Sequence, residues 1–134
     1  MFEEISKLAS AFYKQSFEKM DYLFVYGTLK HHQEASGQLK GAKFLGTVHT
    51  KPKYSLATFN KNYKGLMLHG NDSIEGELYE VTPEQLMNLD QYELEIYSRE
   101  KIELDNDMIV DAYVFKPELL KYYSENIEFL KGFD

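Results

Sequence analysis

The spacing of apolar residues divides the chain into three parts. In residues 1–20 apolar side chains recur every three or four positions, as on one face of an amphipathic helix: Ile5, Leu8, Ala9, Phe12 and Phe17. From Tyr22 onward, short apolar and β-branched runs are separated by turn residues, a pattern typical of strands. Helical spacing returns after Pro117, at Leu119, Leu120, Tyr123, Ile127 and Leu130. The pattern predicts a β-rich middle between two terminal helices.

The candidate strands of the middle segment are bounded by Gly, Asn, Asp or Pro. They are Tyr22–Tyr26, Lys43–Thr50, Tyr54–Thr58, Gly65–His69, Ser73–Val81, Ser98–Leu104 and Met108–Phe115. The first is continuously apolar, as expected of a strand that is buried on both faces. The last two flank Asp105-Asn106-Asp107, which predicts a hairpin. Several strand glutamates are expected on a solvated face: Glu75, Glu77, Glu80, Glu100 and Glu103.

One helix is predicted inside this β-rich segment. Thr82 is a favourable N-cap, Pro83 suits the first helical position and Gln85 completes a capping box. The helix is expected to continue to about Tyr92. The predicted fold class is therefore α+β: a small, mixed, mostly antiparallel β-barrel-like domain with flanking helices.

The length of 134 residues fits a single domain. Its expected parts are an N-terminal helical extension over 1–21, a core over 22–116 and a C-terminal helix over 117–134. The net charge of −7 argues against a nucleic-acid partner, and the absence of cysteine excludes disulfides and thiolate chemistry. The histidines lack the spacing of a metal site. With no membrane-length apolar run and no signal peptide, we expect a cytoplasmic protein that does not bind membranes.

The segment Tyr26-Gly27-Thr28-Leu29 is the first candidate for chemistry. A buried strand runs directly into it, and Gly27 allows successive backbone N–H groups to point into a cleft and hold an anion. Thr28 adds a hydroxyl donor. An ordinary turn after a strand is the alternative.

Glu93 is the second candidate. It follows Leu86 and Leu89 at helical spacing, so it falls on the apolar stripe of the helix, whereas Asp90 lies one position round and is expected to be more exposed. Desolvation on such a stripe favours the neutral acid, as general acid/base catalysis requires. Alternatively, the helix frays before Glu93, or Glu93 pairs with Arg99.

The third candidate is Tyr97-Ser98-Arg99. The planar guanidinium of Arg99 suits a carboxylate, which belongs either to a ligand or to a side chain of the protein. The sequence leaves both readings open.

These segments, in this order, resemble the γ-glutamylcyclotransferase-like family, which includes γ-glutamylamine cyclotransferases and AIG2-like proteins. The matching elements share the order and spacing of the family: Phe24–Leu29, Ile74–Val81, Leu89–Glu93 and Tyr97–Arg99. The resemblance covers roughly Tyr22 to Phe115. It implies a barrel-like fold whose cavity holds a γ-glutamyl group.

The resemblance also implies roles for residues. It assigns substrate binding to Tyr26, Gly27, Thr28 and Leu29, and the catalytic acid/base to Glu93. With Tyr97 and Arg99 as further substrate contacts, the expected reaction releases 5-oxoproline from a small γ-glutamyl substrate, without metal or organic cofactor. The leaving group stays open: an amine, an amino acid, the ε-amine of lysine or cysteinyl-glycine.

The chain departs from the family after the glutamate. Many relatives have glycine there, where this chain has Leu94-Glu95-Ile96, which puts loop geometry and substrate choice in question. A rival hypothesis is a non-catalytic small-molecule-binding or interaction protein with the same fold. We expect a monomer or a weak homodimer.

Overall fold

A computed structural model describes residues 21–26, 39, 41–60, 63–92, 96–118 and 127–129. Its elements in chain order are β1 (Asp21–Val25), β2 (Lys43–His49), β3 (Tyr54–Phe59), β4 (Tyr63–Asp72), β5 (Glu75–Val81), α1 (Pro83–Tyr92), β6 (Tyr97–Glu103), β7 (Ile109–Phe115) and β8 (Ile127–Phe129). The predicted strands and helix of the middle segment are confirmed, although β4 is longer than predicted at both ends.

The strands form one mixed sheet in the order β2-β5-β1-β7-β4-β3-β8, and β6 pairs with β7. β7 runs parallel to β1 and to β4, and the other pairings are antiparallel. β1 pairs with β7 at Asp111 and Ala112, and β4 pairs with it at Val114. The predicted fold class is confirmed.

The sheet curls toward a barrel without closing into one. An isolated bridge joins Thr50 and Leu104, the residues that directly follow β2 and β6. Two flanking hydrogen bonds support the bridge, from Lys51 N to the Glu103 carbonyl (3.0 Å) and from Asp105 N to the His49 carbonyl (2.9 Å). These two parts of the sheet are therefore joined at one corner, by the bridge and its flanking bonds, rather than along a full ladder of hydrogen bonds.

Buried side chains lie on both faces of the sheet. The inner cluster includes Tyr22 and Phe24 of β1 together with residues of every long strand. On the other face, Leu86 and Leu89 of α1 pack against Leu23 of β1 and its neighbours. The predicted burial of β1 on both faces is confirmed, and so is the apolar stripe of α1.

The start of α1 is fixed by the predicted capping box. Thr82 N donates to Gln85 Oε1 (2.8 Å), and Gln85 N donates to Thr82 Oγ1 (3.1 Å). Each bond satisfies a backbone or side-chain group that the first turn would leave unpaired, and such caps stabilise a helix by about 1 kcal/mol.

The predicted C-terminal helix is wrong for Ile127–Phe129, which form β8 antiparallel to β3. The outer edge of β3 offers unpaired backbone groups, and pairing with that edge outweighs a local helical spacing. The predicted helix over 1–20 and residues 119–126 lie outside the described residues. The domain boundaries stay predictions. No helix in the described part of the chain has the length and apolar character of a membrane span.

Candidate active site

The predicted site residues divide into two groups. Tyr26, Tyr97 and Arg99 lie among the described residues, whereas Gly27–Leu29 and Glu93 lie outside them. The elements that lead into the second group are described: β1 ends two positions before Gly27, and α1 ends directly before Glu93. The geometry of these two ends frames the site.

The side chain at the end of β1 lies on the face of the sheet that packs against α1. Val25, the last residue of β1, belongs to the buried cluster that Leu86 and Leu89 of α1 form with Tyr113 of β7. Apolar packing thus brings together the two chain segments that carry the sequence motifs. Both segments are also bonded to Tyr113 of β7.

Tyr26 bonds to the backbone at the point where the strand that pairs with β7 changes from β1 to β4. Its hydroxyl donates to the Tyr113 carbonyl and accepts from Leu66 N at 2.7 Å. Its ring packs against Phe24, with centroids 6.1 Å apart. Because a phenol has a single proton to donate, that proton is committed to the β7 backbone. Tyr26 therefore fixes the start of the Tyr-Gly-Thr-Leu segment to the sheet.

Arg99 forms a bidentate ion pair with Asp90 in the last turn of α1. Its Nε lies 2.9 Å from Asp90 Oδ1 and its Nη2 lies 3.1 Å from Asp90 Oδ2. These hydrogen bonds raise the pKa of Arg99 above its ordinary value. The structural ion pair that the sequence left open is present, with Asp90 as the observed partner. As expected, Asp90 is exposed, with 39% of its side chain accessible. The substrate-binding role of Arg99 stays a prediction.

Two residues that the sequence did not single out extend this ion pair. Asp111 of β7 is buried, with its Oδ1 3.6 Å from Arg99 Nη1 and 3.1 Å from Lys101 Nζ. Tyr113 donates its hydroxyl to Asp90 Oδ1 at 2.5 Å. The signal was available in the hairpin register, because Arg99 pairs with Tyr113 and Lys101 with Asp111 across β6 and β7. Opposite charges at directly facing positions attract.

Tyr97 is the first residue of β6, two positions before Arg99. Its ring stacks on Phe115 with centroids 5.4 Å apart, and its hydroxyl donates to the Lys64 carbonyl at 2.5 Å. Gly65 makes this arrangement possible, because a Cβ there would come within 2.3 Å of the Phe115 ring. Tyr97 thus joins the start of β6 to β4. Its role in substrate binding stays a prediction.

Glu77 was expected on a solvated face of the sheet, and this expectation is wrong. It pairs with Val25 at the end of β1, and it is buried. Tyr79 donates its hydroxyl to Glu77 Oε1 at 3.1 Å. Burial, followed by the charge of Glu77 and this hydrogen bond, raises the pKa of Tyr79 to about 12. Glu77 shares its face of β5 with Tyr79 and Val81, which pack with Leu86 and Leu89 of α1, so this face is not left to solvent.

Most of the chain matches a known protein family. Residues 23–129 match the family described as "Gamma-glutamyl cyclotransferase, AIG2-like". The chain belongs to this family. The matched range contains the motif segments, so the resemblance drawn from the sequence is confirmed.

Two relatives are similar in sequence to this chain, and one solved structure is similar in fold. A Vibrio cholerae protein named "Putative gamma-glutamylcyclotransferase" is 40% identical over 68 residues, which cover 51% of this chain and 57% of that protein. A Methanocaldococcus jannaschii protein of similar name is 34% identical over 110 residues, 74% of this chain and 87% of that one. The crystal structure of a mouse AIG2-like protein superposes with a TM-score of 0.66 at 24% identity, covering 86% and 88% of the two chains. At that identity the structural likeness shows the fold alone.

The described residues do not group three or more His, Asp or Glu side chains in a way that would hold a metal ion. The acidic residues near the site are engaged with protein partners instead: Asp90 with Arg99, and Asp111 with Lys101. What the arrangement offers is a rigid frame at the ends of β1 and α1.

Proposed function

We propose that the chain is a cyclotransferase that releases 5-oxoproline from a γ-glutamyl compound. The family match over residues 23–129 carries this proposal. It is supported by the common location of the ends of β1 and α1, since these ends lead into the segments to which the family resemblance assigns binding and catalysis. The described residues contribute positioning, which can supply much of the rate of an intramolecular reaction.

The proposed reaction needs one group that moves a proton. Glu93, as a carboxylate, takes a proton from the α-ammonium of the substrate, and the freed amine attacks its own γ-carbonyl carbon. A C–N bond forms and closes the five-membered ring. The C–N bond to the leaving amine then breaks while Glu93 returns the proton to that amine, and the second proton of the attacking nitrogen passes to the leaving amine or to water, so that the lactam nitrogen keeps one hydrogen. The products are 5-oxoproline and the free amine.

The segment from Tyr26 to Leu29 holds the glutamyl head in this scheme. Backbone N–H groups at Gly27 and Thr28 bind the α-carboxylate and stabilise the carbonyl oxygen as charge develops on it. Tyr26 acts through its hydroxyl bonds to β4 and β7, which fix where that segment begins. Tyr97 and Arg99 border the site from β6.

The leaving group is proposed to be a neutral or cationic amine or amino acid. The net charge of −7 disfavours the approach of an acidic leaving group. Glu95, two positions beyond the proposed catalytic residue, adds a further negative charge to the same segment. The cytoplasmic location and the monomeric or weakly dimeric state stay predictions.

A substrate panel with matched variants tests the proposal. Purified protein is incubated with γ-glutamyl-ε-lysine, γ-glutamyl-alanine and glutathione, and 5-oxoproline is quantified by mass spectrometry. We expect turnover by the wild type and a loss of roughly 10²- to 10⁴-fold in Glu93→Gln, because general acid/base catalysis contributes about that much. Glu84→Gln makes the same chemical change at an exposed position in the first turn of α1 and should retain wild-type turnover.

The possible outcomes test the role of Glu93 separately from the proposed reaction. Equal turnover by wild type and Glu93→Gln would remove Glu93 from its role while keeping the reaction. No turnover by a folded wild-type protein on any of the three compounds would count against the proposed function. Binding of a γ-glutamyl compound without product would then favour the non-catalytic alternative.

A further inference from the structure

We infer that Tyr113 is a positioning residue that holds the start of the Tyr26 segment and the carboxyl end of α1 at one point of β7. The inference rests on the proposed function, because these two segments lead into the residues that are assigned to substrate binding and to acid/base catalysis. Neither the sequence motifs nor the family resemblance assigned a role to Tyr113.

Tyr113 contacts the two segments with two different groups. Its backbone carbonyl accepts the hydrogen bond from the Tyr26 hydroxyl, and its own hydroxyl donates to Asp90 Oδ1 at 2.5 Å. The residue is only 4% exposed. Hydrogen bonds to an ionised carboxylate are among the stronger ones. A single residue of β7 thus bridges segments that are far apart in the sequence.

The Asp90 side chain cannot easily turn away from this contact. Arg99 binds both of its oxygens, so three donors from β6 and β7 fix the carboxylate. The last turn of α1 carries no basic residue of its own. The guanidinium of Arg99 therefore supplies the positive charge that favours the negative end of the helix dipole. This arrangement anchors the end of α1 to the sheet rather than leaving it to fray.

The same point of β7 is where its neighbouring strand changes. β1 pairs with Asp111 and Ala112, and β4 pairs with Val114, so Tyr113 lies at the junction. The Tyr26 hydroxyl bridges that junction by joining Leu66 N of β4 to the Tyr113 carbonyl. A shift of Tyr113 would therefore move both motif segments together.

The test compares two tyrosine-to-phenylalanine variants. Tyr113→Phe keeps the ring and removes the bond to Asp90. Tyr54→Phe is the matched control: Tyr54 is also 4% exposed, and its hydroxyl accepts a hydrogen bond from Glu103 N at 2.7 Å, which joins β3 to β6. On the most active panel compound, we expect kcat of Tyr113→Phe to fall by about tenfold or more with little change in KM, since misplacement of catalytic groups by about 1 Å costs roughly 10²-fold. The control should keep wild-type kcat.

A second measurement does not depend on turnover. Amide hydrogen exchange, followed by mass spectrometry, reports local opening at residues 86–92. The Tyr113→Phe variant should exchange there about tenfold faster than wild type, which corresponds to the loss of one hydrogen bond to a charged group. Tyr54→Phe should match wild type in that segment.

A double variant checks that the effect passes through Asp90. Because Asp90→Ala removes the acceptor, adding Tyr113→Phe to it should lower kcat little further, whereas independent residues would give multiplied losses. Wild-type kcat or wild-type exchange in Tyr113→Phe would overturn the positioning role. Faster exchange in Tyr113→Phe alone, in a protein whose wild type has no turnover, would support the anchor and reject the proposed function.

Discussion

Two groups of ion pairs lie along β6, and they differ in what surrounds them. The helix-side cluster consists of Asp90, Arg99, Lys101 and Asp111, and its Asp111 side chain is 4% exposed. The corner cluster consists of Lys51, Lys53, Glu103 and Asp107, and the Asp107 side chain is 77% exposed. Both clusters pair the same kinds of charge at similar distances.

Location, rather than charge pairing, separates the two clusters. The corner cluster supports the Thr50–Leu104 bridge, where water and salt screen its charges. The helix-side cluster fixes the end of α1, and its buried carboxylate has lost the water that would otherwise solvate it. Among the described residues, none donates a hydrogen bond to Asp111 Oδ2. Removing a charge should therefore lower the free energy of unfolding more in the helix-side cluster than in the corner cluster.

Replacing Arg99 gives the largest expected difference between the clusters. Arg99→Met should lower the free energy of unfolding by about 1–2 kcal/mol, because it removes two charge-assisted but partly screened hydrogen bonds to Asp90 and leaves Lys101 alone to balance the buried Asp111. In the corner cluster, Lys53→Met should cost less than about 0.5 kcal/mol. Urea unfolding of both variants measures the difference, and equal losses would contradict the comparison.

A buried polar pair on the helix side gives a pH effect of intermediate size. The folded-state pKa of Tyr79 is about 12, raised from its ordinary value of 10.0. Because the folded protein holds this proton more tightly, the contribution to stability is complete below pH 10 and is lost as the pH rises toward 12. The difference in tyrosinate absorbance between wild type and Tyr79→Phe reports the titration. Glu77→Gln should lower the midpoint, because it removes a negative charge; an unchanged midpoint would leave burial as the cause.

The corner cluster gives the smallest expected effect, on the acid side. Hydrogen bonds from Lys53 and then Lys51 hold the pKa of Glu103 below its ordinary value of 4.5. The stabilisation is therefore present above pH 4.5 and is lost as the pH falls through the folded-state pKa. Carboxyl NMR titration should show the pKa of Glu103 rising in Lys53→Met and in high salt. Insensitivity to salt would mean that this cluster is less screened than its exposure implies.

The parts of the fold that local rules govern were predictable from the sequence. The capping box of Thr82 and Gln85 lies within four consecutive residues, and the continuous apolar run of β1 indicates its burial. Ile127–Phe129 were misassigned because their structure is decided by the distant edge of β3. Glu77 was misassigned for a related reason: alternation within a strand does not reveal which face of the strand packs against the rest of the protein.

The site was predictable only where motifs mark it. Tyr26 drew attention through the strand-to-glycine junction and Arg99 through its planar guanidinium, and the substrate-binding and catalytic roles of all the candidate residues stay predictions. Tyr113 and Asp111 were missed because they lie outside the sequence motifs, although the register of the predicted hairpin places them opposite Arg99 and Lys101. Their importance comes from the register of β7 against β6 and β1, which depends on tertiary pairing.

The bond between Tyr26 and Tyr113 also has a consequence for how the protein folds. It joins residues that are 87 positions apart, whereas the β3–β4 and β6–β7 pairs are hairpins between neighbouring strands. Contacts of such long sequence separation carry a larger loop-closure entropy, so they form after the local hairpins. The frame of the site is therefore completed near the end of folding. A nascent chain acquires it only after β7 has been synthesised, and activity reports the finished fold rather than any intermediate.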